Sequence, residues 1–147
     1  MSDPSKLRTN TVSFSVDLDE LRPSDELEVV RQPLSDEPLV SVMISCYNSG
    51  KFIKRTLQSV LGQSYQNLEV IVFDGGSADD TVSILENLSQ TDPRLKWISE
   101  PDDGVYDGFV KAQKQVSGEI IKWTPADDLW VEDAVAYTIE HFRKNPM

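Results

Sequence analysis

Asp127 and Asp128 stand side by side, just after an apolar stretch, Ile120-Ile121-Lys122-Trp123, and just before a helical pattern. Neighbouring carboxylates at the mouth of a buried strand repel each other and are costly to desolvate. A divalent cation offsets both effects. Mg²⁺ held by one or two carboxylates usually completes its shell with water and substrate phosphate oxygens. The pair therefore points to Mg²⁺ or Mn²⁺ and, with the ion, to a phosphate-bearing ligand. Carboxylates are also favoured at helix starts. Taken alone, the pair fits either role.

Three more polar clusters follow apolar runs. Cys46-Tyr47-Asn48 follows Val40 to Ser45, Asp74-Gly75-Gly76-Ser77 follows Leu68 to Phe73, and Glu100, Asp102 and Asp103 follow Leu95 to Ser99, with Tyr106 and Asp107 just beyond. Each has an ordinary explanation. Asp-Gly-Gly-Ser and Asp-Asp-Gly are turn signatures, and a lone Tyr is usually half-buried. Cys46 has no base nearby in sequence, and the single histidine, His141, falls late in the last helical pattern, so an inert thiol is the simpler reading. Lys51, Lys54 and Arg55 fit a solvated helix face.

The elements that must position these clusters are legible from periodicity. Leu39 to Ile44, Leu68 to Phe73, Leu95 to Ser99 and Glu119 to Thr124 are β-type runs. Helical spacing recurs in Phe52, Ile53, Leu57, Val60 and Leu61, with Asn48 or Ser49 as cap and Gly62 as stop. It recurs again in Val82, Leu85 and Leu88 behind Ser77-Ala78-Asp79-Asp80, which resembles a capping box. A third set is Val105, Phe109, Ala112 and Val116, closed by Ser117-Gly118, and a fourth is Val131, Val135, Thr138 and Phe142. Four β-α units predict an α/β fold with a mostly parallel sheet and helices on both faces. In such sheets ligands bind outside the carboxyl ends of the strands. All four polar clusters fall at those ends.

Bulk composition narrows the function classes. The chain has 147 residues, 39% hydrophobic content and a net charge of -11. That charge argues against binding nucleic acid through its backbone. No run approaches the roughly 18 apolar residues needed to cross a bilayer, and residues 1–6 carry no apolar signal core. One cysteine excludes an internal disulfide. Residues 1–37 hold nine acidic and four basic residues but no Gly, Trp or Tyr. They read as an acidic, Pro-containing arm, extended or disordered, ahead of a domain over residues 38–147.

Five segments of that domain, in order, resemble the family 2 glycosyltransferases. They are Pro38-Leu-Val-Ser-Val-Met-Ile-Ser-Cys-Tyr-Asn-Ser-Gly, Thr56-Leu-Gln-Ser-Val-Leu-Gly-Gln-Ser-Tyr, Leu68-Glu-Val-Ile-Val-Phe-Asp-Gly-Gly-Ser, Glu100-Pro-Asp-Asp-Gly-Val-Tyr-Asp, and Ser117-Gly-Glu-Ile-Ile through Ala126-Asp-Asp. The resemblance implies a GT-A fold, a Rossmann-like nucleotide-binding sheet. It implies an inverting transfer of a sugar from a nucleotide-diphosphate donor, a UDP- or dTDP-sugar, to an acceptor hydroxyl. By position, Tyr47 would lie against the nucleobase and Asp74 would accept a hydrogen bond from it. Asn48, Gly76 and Ser77 belong to the same nucleotide-binding loops. Asp103, or Asp102, with Asp107 would lie on the ribose and diphosphate side. Asp128 would ligate the Mn²⁺ or Mg²⁺ ion, and Asp127 would contact the donor sugar or ribose.

The chain departs from the family pattern at Ala126, Thr124-Pro125, Val110 and Gly75. No residue qualifies as the base that activates the acceptor. The resemblance places that base, and the acceptor site, beyond Met147, so the expectation is an incomplete, donor-binding half. A non-catalytic nucleotide-binding module is the alternative. A phosphate-accepting receiver-like domain fits less well, because Cys46-Tyr47-Asn48 stands where its first acidic residues would be. Acidity and the lack of an apolar span suggest the cytoplasm, at the inner membrane face if the acceptor is a lipid-linked sugar.

Overall fold

A computed structural model describes residues 34–145. Residues 1–33, most of the expected arm, lie outside the described residues. Its last part is tied to the domain. Leu34 packs on the core, the Ser35 N–H and hydroxyl donate to Glu119 at 2.9 and 2.5 Å, and Arg143 donates to the carbonyls of Ser35 and Asp36.

Four strands, β1 (Val40–Cys46), β2 (Leu68–Asp74), β3 (Leu95–Ser99) and β4 (Ile120–Pro125), alternate with four helices, α1 (Ile53–Leu61), α2 (Thr81–Thr91), α3 (Val105–Gln113) and α4 (Ala134–Lys144). The strands form one sheet in the order β3-β2-β1-β4, and every pairing is parallel. This is the α/β architecture expected from the alternating periods. All seven residues of β1 and of β2 are buried. A parallel strand covered on both faces has no solvent side to mark with polar residues, so its sequence reads as a continuous run.

Side chains alternate between the two faces. Val42, Ile44, Val70 and Val72 meet Ile53, Leu57 and Val60 of α1, Leu85 of α2, and Val135 and Ile139 of α4 in the larger core. Met43, Ile71 and Phe73 meet Ala112 of α3 in a smaller one. One helix covers that second face. Ile121 and Trp123 of β4 stay about half exposed beside it, with Trp123 edge-on to Phe109 at 4.7 Å.

Several expected helix details differ. Neither Asn48 nor Ser49 caps α1 with its side chain; Phe52 holds the cap position without a side-chain bond. The turn begins one step earlier, where the Ser49 carbonyl accepts from Phe52 and Ile53 N–H. Ser77 and Asp80 form no capping box. The Ser77 hydroxyl turns toward Asp74, and Asp79 instead accepts from the Thr81 N–H and hydroxyl. Val105 and Val131, expected on buried faces, are exposed. Val105 opens α3 at the rim of the sheet, and Val131 precedes α4, so Val135 and Ile139 carry the buried face instead.

One buried carboxylate organises the opposite, amino-terminal end of the strands. Glu69 is 6% exposed. Its Oε1 accepts from the Ser41 hydroxyl (2.7 Å), the Ser117 N–H (2.7 Å) and the Ser117 hydroxyl (2.8 Å), while its Oε2 meets the Lys96 ammonium at 3.0 Å. The Ser41 hydroxyl in turn accepts from the Gly118 N–H. The chain thereby passes from α3 into β4 pressed against β1. A side chain at 118 would reach within 2.6 Å of the Leu39 carbonyl, which explains the glycine.

Candidate functional site

Because all four strands run parallel, the four loops after them share one edge. The strand order reverses at β1, which has β2 on one side and β4 on the other. Open α/β sheets take ligands at such a reversal. A cleft of about 460 Å³ opens at the same carboxyl edge, on the β1, β2 and β3 side. Ser45, Cys46 and Tyr47 line it from the end of β1, Gly75 from behind β2, and Asp102, Gly104 and Val105 from the β3–α3 connection.

Tyr47 is 62% exposed over this cleft, the most open of its lining residues from β1. Asn48 takes a left-handed backbone conformation (φ 48°). Its N–H donates to the Ser77 hydroxyl at 2.7 Å and its Oδ1 accepts from the Ala78 N–H at 2.9 Å. Gly50 N–H donates to Asp79 at 2.9 Å. The loop after β1 is thus stapled to the loop after β2, with Asn48 itself exposed.

Asp74 is fully buried. Its Oδ1 accepts from the Ser77 hydroxyl and faces the Cys46 thiol at 3.6 Å. Its Oδ2 accepts from Gly76 N–H (3.2 Å), Ser77 N–H (2.9 Å) and the Ser99 hydroxyl (2.7 Å). The carboxylate shapes the Gly-Gly-Ser turn and ties it to β3. Gly76 sits at φ 82°, where a Cβ is strained by roughly 1–2 kcal/mol. Gly76→Ala should lower the unfolding free energy by about that amount, read from the denaturant midpoint.

Cys46 is buried against this carboxylate. Burial first, and then the negative charge of Asp74, push its thiol far above the ordinary range. The thiolate is therefore inaccessible at neutral pH, in line with the inert reading.

Asp103 is exposed, and its N–H donates to Asp107 at 3.2 Å. Asp107 lies in the first turn of α3 and pairs with Lys111 at 3.0 Å; the hydrogen bond from Lys111 holds its carboxyl below the usual range. Lys111 also donates to the Pro101 carbonyl at 3.0 Å and lies 4.9 Å from the Phe73 ring centroid. This lysine gathers the β3–α3 connection over the sheet.

Asp127 and Asp128 lie exposed in the loop after β4, two and three residues beyond Pro125, which pairs with Ser45. The loop rests on α1. Thr56 donates to the Ala126 carbonyl (2.8 Å), the Trp130 N–H to Ser59 (3.1 Å), and Gln63 bridges Val131 and Val135 (2.7 and 3.0 Å). Ala126 is itself buried, so a carboxylate there would be desolvated; this accounts for the departure at that position. Among the described residues no three His, Cys, Asp or Glu side chains gather into a metal cage. Two adjacent exposed carboxylates are hard oxygen donors that leave most coordination positions open. That donor set fits Mg²⁺ or Mn²⁺ shared with phosphate oxygens.

The structure thus brings Tyr47, Asp102 and the two glycine turns to one cleft, and sets Asp127 and Asp128 in the loop after β4, the strand beside β1. It gives Asn48, Asp74, Gly76 and Ser77 to the scaffold of the rim. Ser45 and Val105 were missed as lining residues. The faint signal for Ser45 was alternation: Ser41, Met43 and Ser45 share one face of β1, and serine is a poor choice for filling a core.

The family described as Glycosyl transferase family 2 matches residues 41–147. The chain is 37% identical over 108 residues to a chondroitin synthase of Escherichia coli, covering 74% of this chain and 16% of that protein. It is 37% identical over 105 residues to an uncharacterized glycosyltransferase of Haemophilus influenzae, covering 68% of this chain and 32% of that one. Among solved structures, the mannosyltransferase PcManGT from Pyrobaculum calidifontis, in complex with GDP-Man and Mn²⁺, superposes with a TM-score of 0.69 at 30% identity over 75% of this chain and 33% of its own. S. aureus TarS 1-349 in complex with UDP-GlcNAc gives 0.67 at 27% identity, over 71% and 31%. The chain therefore spans a third or less of the length of these relatives. No helix among the described residues is long and apolar enough to cross a membrane.

Proposed function

Because this chain belongs to glycosyl transferase family 2, we propose that its cleft holds the nucleotide of a sugar donor for an inverting transfer to an acceptor hydroxyl. The observation that carries this reading is the cleft at the carboxyl edge of the sheet, together with two exposed carboxylates in the loop after β4, whose last residue pairs with Ser45 of the cleft wall. Two structural relatives hold a nucleotide sugar, and one of them also holds Mn²⁺.

In this reading Tyr47 stacks on the nucleobase, and Asp103 and Asp107 border the ribose and diphosphate side. Asp128 would hold a divalent cation, Mn²⁺ or Mg²⁺, with Asp127 beside the donor sugar or ribose. Such an ion, when bound, neutralises charge that develops on the leaving diphosphate. The residues of the chain do the positioning. The Asn48–Ser77 and Asp74 bonds fix the rim, and the Thr56, Ser59 and Gln63 bonds fix the loop of the aspartate pair against α1. The donor is a uridine or deoxythymidine diphosphate sugar.

Calorimetric titration of the 147-residue chain with UDP tests this, with and without Mn²⁺. UDP binding should require Mn²⁺, and Asp128→Ala should weaken it by about tenfold or more. The exposed position of Asp128 predicts a change in folding stability within about 0.5 kcal/mol. Binding that ignores both the ion and the substitution would sink the assignment of Asp128. A chain that binds UDP yet releases none from a UDP-sugar in the presence of Mn²⁺ would favour the non-catalytic module.

A further inference from the structure

The carboxylate expected to read the nucleobase, Asp74, has both oxygens engaged by protein donors and no exposed surface. A second carboxylate occupies the cleft in its place. Asp102 comes forward between two glycines. A Cβ on Gly75 would lie 2.8 Å from Asp102 Oδ2, and one on Gly108 would lie 3.1 Å from the same atom. The family departure at Gly75 thus makes room for Asp102. Its Oδ1 accepts from the Gly104 N–H at 2.9 Å. Its Oδ2 accepts no hydrogen bond among the described residues and borders the cleft.

Ser45 is the second, independent pointer. It is 7% exposed and lines the same cleft. Its hydroxyl has no hydrogen-bond partner among the described residues. A Cβ on Gly108 would collide with the Ser45 Oγ, so the carboxylate and the hydroxyl converge around one missing side chain. No buried side-chain oxygen among the described residues lacks a partner, so this hydroxyl is open to solvent, and its open direction is the cleft.

We propose that Asp102, not Asp74, is the residue that reads the nucleobase, by accepting a ring N–H on its free oxygen. One free carboxylate oxygen accepts one N–H, and a serine hydroxyl donates to the neighbouring carbonyl. An imide edge offers that pattern, a single N–H flanked by carbonyl oxygens. Guanine also carries an N–H beside a carbonyl, so the choice between it and the uridine or deoxythymidine base proposed above is left to the comparison of UDP with GDP. This inference rests on the nucleotide reading of the cleft and gives that reading its specificity.

The test is a cycle with Mn²⁺ at fixed concentration, using UDP and 3-methyl-UDP, in which a methyl group replaces the imide proton. The wild-type chain should prefer UDP over 3-methyl-UDP and over GDP. Losing one hydrogen bond to a charged acceptor predicts a preference of about ten- to a hundredfold over 3-methyl-UDP. Asp102→Ala should lower UDP affinity and collapse that preference to within about twofold, while the dependence on Mn²⁺ persists. Asp102→Asn, which keeps the volume beside Gly75 and Gly108, should reduce the preference in the same direction, and Ser45→Ala should lower UDP affinity by a smaller factor. Equal loss of both ligands in the Asp102 variants, or an unchanged preference, would overturn the assignment while leaving the nucleotide site standing. Tighter binding of GDP than UDP by the wild type would overturn the choice of base. Failure of the wild type to bind any of the three nucleotides would remove the site and this inference together.

Discussion

Asp74→Ala should lower the unfolding free energy of the domain by about 3 kcal/mol or more, because several donors lose one buried acceptor together. The substitution strands the Gly76 and Ser77 N–H groups and the Ser77 and Ser99 hydroxyls. Water has little access to a position with no exposed surface, so the stranded groups stay unsatisfied. Urea unfolding of wild type and variant gives the number directly. A residue that merely touched a ligand would behave in the opposite way: the variant would keep its stability and lose affinity. An unfolding midpoint unchanged by Asp74→Ala would refute the scaffold role. Asp74→Asn should fall between the two, since the amide keeps one acceptor oxygen and places a donor where another is needed.

The second large effect belongs to Glu69, and it carries a pH signature. Burial by itself would raise the Glu69 pKa. Hydrogen bonds from the Ser41 hydroxyl, the Ser117 N–H, Lys96 and the Ser117 hydroxyl outweigh burial and bring it down to about 2, from an ordinary 4.5. That difference corresponds to roughly 3 kcal/mol favouring the folded state. The folded-state pKa lies below the unfolded one, so the stabilisation is complete above pH 4.5 and fades as pH falls toward 2. Glu69→Gln should therefore be less stable than wild type by a few kcal/mol at neutral pH, and the gap should narrow steadily below pH 4.5. Denaturant midpoints of both chains between pH 7 and pH 3 would show it. A gap independent of pH would mean that the carboxylate contributes shape rather than charge. Lys96 is 61% exposed, so Lys96→Met should have a much smaller effect than Glu69→Gln.

The architecture was legible where periodicity was strong. β1 and β2 are buried on both faces, and a run such as Val-Ser-Val-Met-Ile has few other uses. The caps were less legible, because a hydroxyl or carboxylate near a helix start has several partners within reach. Ser77 carries the signature of a cap, yet its hydroxyl serves Asp74 and Asn48. Sequence spacing does not reveal that the loop after β1 folds over the loop after β2. The same limit governs the cleft. Its position at the carboxyl edge followed from the β-α rhythm, and Tyr47 and Asp102 were named from it. The division of labour between Asp74 and Asp102 was not visible, because it depends on Gly75 and Gly108 leaving space for a side chain from a third loop. Ser45 was hidden for a related reason: its hydroxyl, against Gly108 of α3, has no hydrogen-bond partner among the described residues, and sequence spacing does not show that.

The burial of Cys46 has a practical consequence. The only thiol of the chain lies 5% exposed on Asp74, at the joint between the first two loops of the rim. With so little of it exposed, a neutral alkylating reagent reaches it far faster when that joint parts. At neutral pH the labelling rate of Cys46 is then a clock for the breathing of the rim. The opening population fixes its speed when reclosing outruns the reagent. A nucleotide seated in the cleft should slow the clock, and the strained glycine variant at position 76 should quicken it. The molecule thus carries its own reporter of how often the site comes apart, with no added probe.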